Sequence, residues 1–171
     1  MSLIVEDGSG VSGAESYASE AEGTTYWGNR THSAFYTAWN AATSAVREGS
    51  LREASDFIDG KYGKYYLGLR ASGVQGLQWP RSGAVDSAGF PLDVLPSELV
   101  KATLELAGRA ISARLAPDAA RGGKIKSVGA GPAKVEFEAG ATSDKTFGVV
   151  SETLAPILNG NQDSDNGWNW W

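Results

Sequence analysis

The sequence predicts a mainly α protein: a small helical bundle with one β-hairpin and extended arms at both ends. Three observations carry this. Apolar residues recur three and four apart over 96–113, with helix punctuation around them. Apolar and charged residues alternate at 124–126 and again at 134–138, across Gly129-Ala130-Gly131-Pro132. Both ends are rich in glycine and polar residues. At 171 residues, 42% hydrophobic and 20% charged, the chain suits one domain with arms, here 1–18, 19–158 and 159–171.

Residues 1–12 are Gly/Ser-rich after Leu3, Ile4 and Val5, which reads as a strand or arm in need of a partner. Ser19 and Glu22 have capping-box spacing, so a helix is expected over about 19–30. Tyr26 and Trp27 form its apolar face and Gly28-Asn29 its stop. A second helix is expected over about 38–59, from Ala42, Ala45, Val46, Ala54, Phe57 and Ile58, ending at Gly60. Residues 71–95 read as a long connector with turns at Pro80, Gly83, Gly89 and Pro91.

The third helix, about 96–115, starts on Pro96. One row is Leu99, Thr103, Leu106, Ala110 and Ala113; its neighbour is Val100, Leu104, Ala107 and Ile111. Glu98, Lys101, Glu105 and Arg109 alternate in sign on the opposite face. A hairpin over about 124–138 follows. Placing Ile125 opposite Phe137 also sets Lys124 against Glu138 and Lys126 against Glu136. A last helix is expected over about 147–158, packing through Val149, Val150, Leu154, Ile157 and Leu158.

Composition narrows the chemistry. There is no cysteine, hence no disulfide and no thiolate chemistry. The single histidine, His32, rules out a poly-histidine metal cage. No catalytic constellation, metal site or cofactor motif stands out, and the expectation is a protein that is not an enzyme. Asp163-Ser164-Asp165-Asn166-Gly167 lacks the spacing and closing glutamate of a calcium loop. With no signal-like start and no apolar run of membrane length, a soluble, cytoplasmically made protein with no membrane partner is expected. The net charge of −5 argues against a surface that grips phosphates throughout. Residues 1–22 hold five acids and no base, whereas 101–126 hold six bases against Glu105 and Asp118. That asymmetry suits head-to-tail contact between copies.

Two segments invite a functional reading. Lys61-Tyr62-Gly63-Lys64-Tyr65-Tyr66 interleaves bases with aromatics, as single-strand binders do, which makes Lys61, Tyr62, Lys64 and Tyr65 candidate nucleic-acid contacts. Tyrosines so spaced also fit packing onto the bundle. The polar tail 159–171 ends in Trp168, Asn169, Trp170 and Trp171. Burying three indoles yields on the order of 10–15 kcal/mol gross. Ordering the tail costs roughly 1–2 kcal/mol per residue. One tail would therefore bind a partner weakly and many tails together firmly, unless the tail folds back on its own domain.

A family resemblance rests on Leu77-Gln78-Trp79-Pro80-Arg81-Ser82-Gly83, Asp86-Ser87-Ala88-Gly89-Phe90, and Leu95-Pro96 leading into Val100-Lys101 and Glu105-Leu106-Ala107. It extends to Ser2–Gly10 with Glu15-Ser16-Tyr17, and to Leu51–Gly60. These resemble the head–tail adaptor (connector, neck) proteins of tailed bacteriophages, a group also labelled DnaT-like single-stranded DNA-binding protein. The resemblance implies a virion protein forming a ring, typically of twelve copies, under the portal and joining capsid to tail. Duplex DNA would pass through its channel without tight binding. Its partners would be the portal, a tail or second neck protein, and itself, with the tryptophan tail as the portal anchor. In that reading Trp79, Pro80, Arg81 and Asp86 are a structural motif, with Arg81 paired to a carboxylate such as Asp86, or a subunit contact. The alternative is a DnaT-like single-stranded DNA-binding module.

Overall fold

A computed structural model of the chain describes residues 2–92, 94–116 and 147–159, and the backbone of 128–130 and 133–135. It is mainly helical, as expected, with small antiparallel strand pairs. The chain forms two compact units, one of residues 1–115 with 147–171 and the other of residues 116–146.

In the larger unit the N-terminal segment finds its partner in its own chain. Val5 bridges Ser16, and the Glu6 amide donates to the Ser16 carbonyl at 2.8 Å. Glu6 is 1% exposed, and its carboxylate accepts from the amides of Gly8, Gly10 and Val11 at 2.8 to 2.9 Å. A buried carboxylate needs such donors, so the Gly/Ser loop wraps around it.

Helix α1 is Glu20–Gly28. Ser19 caps it, and the reciprocal bonds with Glu22 are both present. The single helix expected over 38–59 is instead two, α2 (Ala34–Ala41) and α3 (Ser44–Tyr62). Ala42 is extended, and the Thr43 hydroxyl accepts from the Val46 amide as a new N-cap. Arg47 closes the break from the other side. Its guanidinium donates to the Trp39 and Asn40 carbonyls at 2.8 and 3.2 Å and pairs with Glu20 at 3.0 Å.

Gly60 does not end α3. The buried stripe Leu51, Ala54, Ser55, Ile58 continues to Tyr62, and burying that ring outweighs the propensity cost of one glycine. A 3-10 turn, Gly63–Tyr65, follows. An antiparallel pair that local pattern does not signal follows, β1 (Leu69–Arg70) just before the expected connector and β2 (Arg81–Ser82) within it, with Arg70 opposite Arg81.

Helix α4, Ser97–Ala110, lies centrally and packs on α2, α3 and α5 (Gly148–Leu154). Leu99, Thr103 and Leu106 of one row and Leu104 and Ala107 of the other are buried. After α5 a 3-10 turn, Ala155–Ile157, is stitched to the segment beyond α3. Leu67 donates to Ile157, Asn159 donates to Tyr65, and Tyr66 bridges Leu158.

The smaller unit contains the hairpin β3 (Val128–Ala130) and β4 (Ala133–Val135). Val128 faces Val135 and Ala130 faces Ala133. The expected register would set Val128 opposite Lys134, so the observed ladder is shifted by one residue. Two residues separate the paired Ala130 and Ala133, whereas the expected register requires an odd number between the strands. Turn length thus overrides the charge pairing that favoured the other alignment. Lys124, Ile125, Lys126, Glu136, Phe137 and Glu138 lie outside the described residues.

Candidate nucleic-acid interface

The end of α3 and its 3-10 turn sort their aromatic residues by side. Tyr62 and Tyr66 turn inward and are buried. The Tyr62 hydroxyl bonds to the Ser151 hydroxyl at 2.8 Å, and the Tyr66 ring stands edge-on to Trp79 at 5.7 Å. Tyr65 is half-buried and Lys64 exposed, with the Lys64 ammonium 4.6 Å from the Tyr65 ring centre. Lys61 lies 5.7 Å from the Phe57 ring. Of the four candidate contacts, Lys61, Lys64 and Tyr65 therefore face outward together, while Tyr62 belongs to the core.

Beyond Lys61 runs a row of rings and cations. Phe57 meets Phe147 edge-on at 5.6 Å, and Arg109 lies 5.9 Å from Phe147 and 4.9 Å from Phe35. Phe35 touches Trp27, Trp27 touches Tyr26, and the Arg30 guanidinium covers the Tyr26 ring at 3.6 Å. Glu105 ties this row to α4, accepting from the Tyr26 hydroxyl at 2.7 Å and pairing with Arg109 at 2.6 Å. Burial, then the Glu105 carboxylate, push the Tyr26 hydroxyl up to about 12. Apart from the Trp27 indole N–H, which is buried without an acceptor, these contacts are made within the fold, so the row is structural.

The Trp79-Pro80-Arg81 segment is also a structural device. Trp79 is fully buried, its indole N–H donates to the Val94 carbonyl at 3.0 Å, and its peptide bond to Pro80 is cis. Arg81 does not pair with Asp86. Its guanidinium donates to the carbonyls of Leu67, Gly68 and Gln78 at 2.7, 2.7 and 3.2 Å. Those carbonyls have no other donor among the bonds described, and a planar five-donor fork serves all three. Asp86 instead accepts from the amides of Ala88 and Phe90, within its own loop.

A buried carboxylate that sequence reasoning missed holds this segment to α3. Asp59 accepts from the Tyr17 hydroxyl at 2.6 Å, the Gln78 amide at 2.9 Å and the Tyr66 hydroxyl at 3.4 Å. Burial raises its pKa from an ordinary 3.8 to about 6, against the lowering effect of those bonds. Burial, with Asp59 beside them, likewise raises the Tyr17 and Tyr66 hydroxyls well above 10. The partners come from positions 17, 66 and 78, which no local pattern connects.

The stretch of chain around these residues carries an excess of bases. Between residues 60 and 92 stand Lys61, Lys64, Arg70 and Arg81 against Asp86 alone, in a chain of net charge −5. Exposed Leu69, Val74, Val85, Phe90 and Val94 lie in or next to the same stretch. A separate open groove of about 1000 Å³ runs between the N-terminal segment, α1 and α4. It carries Glu6, Asp7 and Glu22 as well as Arg30 and Lys101, a mixed lining that favours no anion. Among the described residues no cluster of three or more histidine, aspartate or glutamate side chains could hold a metal, and no helix is long and apolar enough to cross a membrane. Trp168, Asn169, Trp170 and Trp171 lie outside the described residues.

A family model described as "Putative DnaT-like ssDNA binding protein" matches residues 1–169, and the chain belongs to that family. No curated protein and no solved structure matches it. This finding corrects the head–tail adaptor reading. The family is described by single-stranded DNA binding, not by a neck structure, so the ring, the portal and tail partners, and the portal anchor at Trp168–Trp171 lose their basis. The alternative drawn from the same residues, a DnaT-like module, agrees with the match.

Proposed function

From this family membership we propose that the protein binds single-stranded DNA, and that it acts by holding the strand rather than by catalysing a reaction. The match over residues 1–169 carries the reading. The side chains at the end of α3 support it. Lys64 supplies positive charge beside the half-buried Tyr65 ring, Lys61 stands beside Phe57 in the last turn of α3, and Arg70 follows on β1. Cations along a backbone path with an adjacent ring are what a single strand requires. Tyr62 takes no part, because its ring is inside.

Fluorescence anisotropy with a labelled oligothymidylate, titrated at several salt concentrations, tests this. Three phosphate contacts at Lys61, Lys64 and Arg70 give a log–log salt slope of about −2. The double change Lys61→Ala and Lys64→Ala should bring the slope to about −0.7. Absence of salt-dependent binding at low ionic strength would refute the proposal.

A further inference from the structure

Among the described phenylalanines, tyrosines and tryptophans Phe90 alone is exposed, at 68%. Its loop is built, not loose. The Gly89 amide donates to the Asp86 carbonyl at 3.0 Å, and the Asp86 amide donates to the Phe90 carbonyl at 2.9 Å. Gly89 has φ +86°, the left-handed conformation of a hairpin that closes with a type I turn and a bulge. The Asp86 carboxylate accepts from the amides of Ala88 and Phe90 at 2.9 and 2.8 Å. Below the turn Val85 bridges Pro91, and Leu92 donates to Ala84 at 2.8 Å.

A short hairpin with every one of these bonds made loses little freedom when something binds. It nonetheless keeps a large apolar ring in solvent, where the fold gains nothing from it. The one carboxylate of this hairpin, Asp86, is engaged by the amides of its own loop.

We propose that Phe90 is a stacking platform for a base of bound single-stranded DNA. This rests on the single-stranded DNA reading above and adds to it a base contact beyond the half-buried Tyr65 ring. A flat ring on a rigid turn suits a base of any identity, since each has a π-face. The binding it adds is independent of salt, unlike that of the cations.

The test compares the full chain with its Phe90→Ala and Phe90→Trp variants, on a labelled oligothymidylate and on an abasic strand of equal length. Phe90→Ala should bind oligothymidylate about tenfold more weakly with an unchanged salt slope. It should bind the abasic strand as the parent does, and Phe90→Trp should restore affinity. Equal binding of oligothymidylate by parent and Phe90→Ala overturns this inference alone, as does an equal loss on the abasic strand. A parent that binds neither strand overturns the single-stranded DNA reading and this inference with it. The exposed position keeps Phe90→Ala folded, which an unchanged melting temperature verifies.

Discussion

Replacing Asp59 by asparagine should change how stability depends on pH, and by a predictable amount. In the folded protein this carboxyl titrates at about 6 instead of an ordinary 3.8. The folded state therefore holds its proton more tightly than the unfolded chain does. Below about pH 4 both states are protonated and the group contributes nothing. As pH rises from about 4 to 6 the unfolded chain ionises first, so stability falls, and above about 6 the full penalty is present. A shift of about two pH units corresponds to about 3 kcal/mol. Asparagine cannot ionise. Its carbonyl oxygen still accepts from Tyr17, while its amide group faces the Gln78 amide, a cost that does not vary with pH. Urea unfolding followed by tryptophan fluorescence, for parent and Asp59→Asn between about pH 4 and 7.5, reads the difference directly. Stability of Asp59→Asn minus that of the parent should rise with pH by about 3 kcal/mol. A difference that stays flat, or falls with pH, would show that the carboxyl is not desolvated as described.

Two further outcomes follow from packing and hydrogen bonding. Gly108→Ala would gain about 1 kcal/mol of helix propensity on an open surface. In α4 the new methyl would collide with the Trp27 ring and lie 3.2 Å from the Phe35 Cβ. A net loss of about 1–3 kcal/mol is expected in chemical denaturation, and a gain would contradict that packing. Arg81→Lys keeps the charge but cannot reach three carbonyls at once, so it should cost about 1–3 kcal/mol while leaving the salt slope of DNA binding unchanged. A melting temperature equal to the parent's would show that the fork is dispensable.

The elements legible in the sequence are those whose determinants lie close together in the chain. Ser19 and Glu22 are three residues apart, so the start of α1 could be read directly. The two apolar rows of α4 repeat within a few turns, so its buried face was legible too. The break between α2 and α3 was half-visible. Thr43 carries the cap, but Arg47 and Glu20, which close the turn, meet across 27 positions. The candidate interface was likewise half-visible. Lys61, Lys64 and Tyr65 could be named, and Tyr62, four residues after the buried Ile58, could have been assigned to the core from that spacing alone. Phe90 stood in a quoted motif, yet only the bonds around Asp86 show that its ring is held outward.

Local chemistry thus determined where helices begin, which faces are apolar and where positive charge gathers, because caps, periodicity and composition act over a single turn of chain. Tertiary structure decided that Arg81 serves carbonyls instead of Asp86, that Asp59 is buried among Tyr17, Tyr66 and Gln78, and which tyrosines remain at the surface. Those outcomes depend on groups brought together from distant segments. Their energies arise only once water has been excluded between them, a condition no stretch of sequence meets by itself.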